Sequence, residues 1–310
     1  MRDLSQVLSQ ISKLPPNEKA ALLKDLEALE DVQNKKKAKE DFISFVNLMW
    51  PSFISGRHHQ KMASAFERVA SGELKRLIIN MPPRHTKSEF ASYLLPAWFL
   101  GKYPEKKVIQ TAHTAELAVG FGRKVRNLIQ SEDFQNVFSG ITLSSDSKAA
   151  GRWNTNKRGD YFAIGVGGAV TGKGADLLII DDPHSEQDAQ QGQFNPEVYD
   201  RVYEWYTSGP RQRLQPGGAI IVVMTRWSLR DLTGQIMKST GNKKGMDDWE
   251  VIEFPAIMPS GKPLWPEFWS MDELDALRAE LPPSKWNAQY QQNPTSEEGA
   301  LIKREWWREW

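Results

Sequence analysis

Lys87 and Ser88 close the stretch RLIINMPPRHTKSE, just before apolar residues at helical spacing (Phe90, Leu94, Leu95 and Trp98). A lysine at the start of a helix can reach β- and γ-phosphates, and the hydroxyl after it can ligate Mg²⁺. RLIIN reads as a strand, so the loop joins strand to helix, where converging backbone N–H groups and the helix dipole favour an anion. Such loops usually carry glycine at two positions, which Met81 and Thr86 occupy here. Threonine is β-branched and resists the positive φ that glycine adopts without cost. The competing reading is an ordinary strand-to-helix loop with an exposed lysine. Pro96 is expected to kink the helix or end its regular part.

A second stretch, ADLLIIDDPHS, carries Asp181 and Asp182 at the carboxyl end of an apolar strand. One acid placed there can hold Mg²⁺, usually through water, and the next can orient or deprotonate an attacking water. Two turn aspartates ahead of Pro183 are the plainer alternative. A third stretch, AIIVVMTRW, is another buried strand that ends in the polar Thr225. Three polar strand tips would meet at the carboxyl edge of one parallel sheet, where open α/β sheets bind ligands.

The elements that must position these groups follow from hydropathy. Strands are expected at Leu77 to Asn80, Val108 to Thr111, Tyr161 to Val166, Leu177 to Ile180 and Ile220 to Met224, apolar throughout as in a sheet covered on both faces. Leu117, Phe121, Val125 and Leu128 form the apolar stripe of a helix after the second strand. Residues 1–40 read as a helical appendage, with stripes at Leu4, Val7, Leu8, Ile11 and Leu14, then at Leu22, Leu26 and Leu29. NKKKAKED follows as a solvated connector. Residues 41–228 form the core and 229–300 a lid, with a strand at VIEFPAIMP and two short helices divided by Pro282-Pro283. Ser270 with Asp272 and Glu273 predicts a helix cap.

The chain has 310 residues with Lys+Arg 40 against Asp+Glu 39, so nucleic acid would have to be met by local basic patches. No cysteine is present, which excludes disulfides and thiolate metal sites. No apolar run approaches the roughly 20 residues of a membrane span. His58 and His59 are not read as metal ligands, because adjacent side chains diverge and no acid accompanies them.

These stretches together resemble the N-terminal packaging ATPase of phage terminase large subunits, through RLIINMPPRHTKSE, VGGAVTGKGADLLIIDDPH, VVMTRWSLRDLTG and WNAQYQQNPTSEEGALIK. The resemblance covers about residues 42–303. It implies an α/β P-loop NTPase of the ASCE type, with a mainly parallel sheet flanked by helices, and an ATP-driven motor that threads double-stranded DNA through the portal into a procapsid. It implies ATP and Mg²⁺, a portal protein and a small terminase subunit as partners, a ring that is usually pentameric, and the host cytoplasm as location. It also implies a C-terminal nuclease domain. Residues 301–310, ending in KREWWREW, are read as the start of a linker toward that domain, and no acid cluster after residue 300 could hold its metals.

Residue by residue, the resemblance makes Lys87 the lysine of the phosphate loop, Ser88 and Asp181 the Mg²⁺ ligands, and Asp182 the catalytic carboxylate, with Glu186 as fallback. Pro83, Arg84, His85 and Thr86 would line the nucleotide, Arg84 touching phosphate directly. Gln60 would read adenine. Thr225 would couple the γ-phosphate to lid movement, while Arg226 and Trp227 pack structurally. A cation acting on a neighbour's site would be Lys173, Arg158 or Arg152. DNA contacts would fall on Arg123, Lys124 and Arg126, or on Lys243 and Lys244. The alternatives are a helicase-like DNA translocase and a nucleotide-binding module without turnover, the latter favoured by Thr86.

Overall fold

The computed structural model describes residues 14–192, 194–240 and 247–295. Eight strands form one sheet: β1 (Arg76–Asn80), β2 (Lys107–Ala112), β3 (Leu143–Ala149), β4 (Arg152–Thr155), β5 (Asp160–Gly165), β6 (Ala175–Asp181), β7 (Leu214–Met224) and β8 (Glu250–Glu253). Their order is β3-β4-β5-β2-β6-β7-β1-β8. Pairing is parallel from β5 to β8, and β3 and β4 add an antiparallel ribbon beyond β5. All five expected strands are present. The ribbon was not expected, because LSSDSKA and RWNT lack an apolar run.

Alternate strand residues face two helical layers. Leu77, Ile79, Leu177, Ile179, Ile221 and Val223 share a core with α1 (Pro16–Glu40), α2 (Phe42–Met49), α3 (Arg57–Ser71), α4 (Leu95–Lys102), α5 (Ala115–Ile129) and α6 (Glu132–Val137). On the other face, Ile78, Leu178, Ile180, Ile220 and Val222 pack under α8 (Glu197–Ser208) and α9 (Leu232–Thr240). The short α7 (Glu186–Gly192) precedes α8.

Three helical expectations change. The NKKKAKED segment continues α1 as helix, and its Ala38 is buried with its carbonyl accepting from Trp98 Nε1 at 3.0 Å. In α5 the buried side is turned toward Ala118 and Gly122, leaving Leu117 exposed. A side chain at position 122 would meet the Ala150 carbonyl at 2.6 Å, so small residues win that face. Before Pro96 the chain winds as a π-helical turn (Glu89–Leu94), and Leu95 N donates to Phe90 O. Proline has no N–H to bond Ser92 O, so the ladder widens ahead of it.

Within 229–300, β8 lies beside β1 as an edge strand of the sheet, and α9 packs on the core. Ala256, Leu274 and Trp286 form a separate small cluster with α10 (Met271–Glu280) and the turn after α11 (Pro283–Lys285). The Ser270 cap is present, its hydroxyl accepting from Glu273 N and Glu273 Oε2 accepting from Ser270 N. The first helical stripe up to Ile11, Lys243, Lys244 and the KREWWREW terminus lie outside the described residues.

Candidate active site

β7 sits between the strand that carries the Lys-Ser loop and the strand that carries the acid pair, with Asn80 opposite Met224 and Asp181 opposite Val223. That register brings residues 81–88, Asp181-Asp182 and Thr225 to one edge. Lys87 is buried, and its Nζ lies 2.9 Å from Asp182 Oδ2. Asp182 Oδ1 accepts from Thr225 N at 2.8 Å, and the Thr225 hydroxyl donates to Met81 O at 3.2 Å. Thr225 therefore ties the acid pair to the base of the loop. Asp182 is held at φ 39, a sparsely populated conformation that tends to cluster at functional sites.

Asp181 is buried and accepts two hydroxyls, from Ser88 (Oδ1, 2.9 Å) and Ser92 (Oδ2, 2.7 Å). Gln110 Nε2 supports Ser92 Oγ at 2.9 Å. Burial, and then the Asp182 charge, push the Asp181 carboxyl well above the usual carboxylate range. A divalent cation would relieve that burden, and the serine-aspartate donor set suits a hard cation that keeps water and phosphate as its other ligands. Among the described residues no group of three or more acids and histidines could hold a metal unaided. Ser92 and Gln110 were missed in the sequence. The available signal was the four-residue step from Ser88, which puts both hydroxyls on one helical face.

The loop solves its lack of glycine in an unexpected way. Arg84 and Thr86 adopt φ 61 and φ 68, and His85 between them does not. Alternating handedness of this kind curls successive N–H groups toward one concavity. Arg84 is exposed and Pro83 half-buried, whereas His85 turns inward, donating Nδ1–H to Pro83 O at 2.8 Å and stacking near Trp269. His59 Nε2 meets the Thr86 hydroxyl at 2.8 Å. His59 thus faces the loop, and its ring lies 3.8 Å from that of His58 rather than diverging from it, because both are packed into the same buried aromatic cluster. Gln60 is exposed on α3 one residue further along.

The candidate cations lie elsewhere. Lys173 precedes β6 and pairs with Asp160, the first residue of β5, at 2.8 Å. Both therefore stand at the amino edge of the sheet, opposite the loop. Arg158 shares that edge, at φ 72 and exposed, and Arg152 is exposed on β4. Glu186 is exposed at the start of α7. On α5, Arg123 and Lys124 are exposed, and Lys124 pairs with Glu89 at 2.9 Å.

Arg226 and Asp231 explain the TRWSLRDLTG stretch. Asp231, itself fully buried, accepts from Arg226 Nε and from the backbone N–H groups of Trp227, Ser228 and Gly234. Arg226 N in turn donates to Gln292 Oε1 at 3.2 Å. Gln292 is buried at φ 55, and nearby Ala256 N donates to Tyr290 O at 2.6 Å.

A parallel sheet with an extra strand between loop strand and acid strand defines the ASCE class of P-loop NTPase folds. Within it, the chain has the fold of phage large terminase ATPase domains. It is similar to the ATPase domain of the Thermus phage P74-26 large terminase in a mutant form (12% identity, TM-score 0.51, covering 81% of this chain and 98% of that one). It is also similar to the bacteriophage HK97 large terminase (15% identity, TM-score 0.50, covering 78% of this chain). The chain spans about half the length of the HK97 protein, 51%. No protein-family model and no curated protein sequence matches it.

Proposed function

We propose that the chain is the ATP-hydrolysing motor domain of a viral terminase, which drives double-stranded DNA through a portal into a procapsid. The observation that carries this reading is the convergence of Lys87, Asp182 and Thr225 on neighbouring strand tips, with Ser88 and Asp181 joined beside them. A pure nucleotide binder has no need of a second acid next to the lysine.

Lys87 would neutralise the β- and γ-phosphates, and the N–H groups of residues 84–88 would cradle them. Phosphate competes with Asp182 for the Lys87 ammonium. Once Lys87 turns to phosphate, Asp182 Oδ2 is released, while Oδ1 stays fixed by Thr225 N. The freed oxygen accepts a proton from water as the water oxygen bonds to the γ-phosphorus and the bond to the β-phosphate oxygen breaks. Ser88 and Asp181 would hold Mg²⁺, which supplies charge neutralisation across the phosphates. Gln60 would approach the base from α3. Arg152 or Arg158 suits action on a neighbouring subunit's site, because both are exposed and Lys173 is already paired. DNA would be met at phosphates by exposed basic residues such as Arg123, giving no sequence preference and strong salt dependence. A portal, a small subunit, a pentameric ring and the host cytoplasm complete this reading. Among the described residues no helix is long and apolar enough to cross a membrane.

Phosphate release from Mg-ATP, measured against protein concentration with and without duplex DNA, tests the proposal. Turnover that Lys87→Ala lowers by about 10²-fold or more supports it, the scale of losing one preorganised charge contact. Equal turnover in the variant overturns it. A rise in turnover per molecule with concentration would point to the trans-acting arginine.

A further inference from the structure

Thr86 is the only β-branched residue with positive φ among the described residues. Left-handed backbone at such a residue is a genuine outlier that its surroundings must enforce. A chain of three hydrogen bonds surrounds it. Gly56 N–H donates to His59 Nδ1 at 2.8 Å, His59 Nε2 meets Thr86 Oγ1 at 2.8 Å, and the Thr86 hydroxyl donates to His85 O at 2.6 Å. Because Nδ1 accepts, the ring proton sits on Nε2, which makes Thr86 Oγ1 the acceptor there and leaves its own hydrogen for His85 O. Every group in the chain has one assigned role.

The imidazole has little freedom to move. It is fully buried between Phe53 (centroids 4.7 Å apart), Phe90 (4.9 Å) and Trp265 (4.9 Å). Burial also drives its pKa down to about 2, so the ring stays neutral and keeps Nδ1 as an acceptor. Position 86 is the place where phosphate loops usually carry glycine, which reaches positive φ because it has no Cβ.

We propose that His59 is a positioning residue for the phosphate loop, whose Nε2–H holds the Thr86 hydroxyl and keeps Thr86 left-handed. A brace from α3 thereby does the work that glycine does alone. The inference rests on reading residues 81–88 as a phosphate-binding loop, and its test has one arm that needs no nucleotide.

The variants are His59→Phe, which keeps the ring packing; Thr86→Val, which keeps the β-branch but loses the hydroxyl; Thr86→Gly; and each His59→Phe combination. Two readouts apply, the Kd of a fluorescent ATP analogue with Mg²⁺ and amide hydrogen exchange over residues 84–88 without nucleotide. Both single variants His59→Phe and Thr86→Val should weaken binding by about 10-fold, the scale of one structured hydrogen bond. Both should speed loop exchange, and their combination should be no worse than either alone. In the Thr86→Gly background, His59→Phe should change either readout by less than about twofold, as expected when the coupled partner is gone. Additive losses overturn the inference. So does a Thr86→Gly protein that fails to bind, or one in which His59→Phe remains as damaging. If the unsubstituted protein binds no nucleotide, the functional reading fails, and the exchange arm still decides for or against the brace.

Discussion

Ser92 shows how much of the site rests on a residue with no chemical role of its own. Its hydroxyl supplies one of the two bonds to the buried Asp181 carboxyl. Ser92→Ala should destabilise the protein by about 1–3 kcal/mol, since a buried carboxylate oxygen loses its donor. Calorimetry should register roughly 2–4 °C per kcal/mol for a domain of this size. An unchanged Tm would mean that Ser92 is replaceable by water. The types and order of Lys87, Ser88, Asp181, Asp182 and Thr225 were legible in the sequence, because strand tips announce themselves by an apolar run that stops at a polar residue. His59 and Ser92 were not. Their partners are 27 and 89 positions away, and the sequence offers no sign of which histidine or serine a fold will bury.

Elements were read well where hydrophobicity carried the message. The parallel strands are apolar because both faces are covered, so each stands out. The β3–β4 ribbon lies at the sheet's margin, where polar residues suffice, and no periodicity revealed it. The face of α5 was read correctly at Val125 and Leu128 and missed at Leu117, because the close approach at Gly122 turns the first half of the helix toward its small residues. At this scale Asp231 is the testable element joint, capping α9 while pairing with buried Arg226. Asp231→Ala leaves that guanidinium without its partner and three N–H groups without theirs. A loss of about 3–5 kcal/mol is expected, as for breaking a buried ion pair. Urea denaturation measures it. A shift below 1 kcal/mol would show that Glu253, 3.5 Å from Arg226 Nη1, takes over.

The whole molecule should be acid-sensitive. His58, His59 and His85 are buried together against Trp265 and Trp269, with pKa values lowered by burial to about 3, about 2 and about 4. Burial also lowers His184. The unfolded chain protonates these groups below about pH 6.5 and the folded chain does not. Stability is therefore fully present above that pH and falls as pH drops, by up to about 1.4 kcal/mol per pH unit for each group. Asp181 opposes this, because its raised pKa makes the fold hold a proton that the unfolded chain releases above about pH 3.9. Four depressed histidines outweigh one raised carboxyl. Urea midpoints should decline steadily from pH 7 to pH 5, and a flat profile would contradict the burial of this cluster. Replacing buried His58 with Phe should flatten the decline.

Gln292 gives the molecule a fulcrum. Its amide clamps the backbone of Arg226, one residue beyond the Thr225 tip that touches Asp182. The strand tip and residues 286–292 are thus fastened at a point, although 66 positions of chain separate Arg226 from Gln292. Two hydrogen bonds on adjacent residues therefore join the acid pair to residue 292 by a route that bypasses α10 altogether.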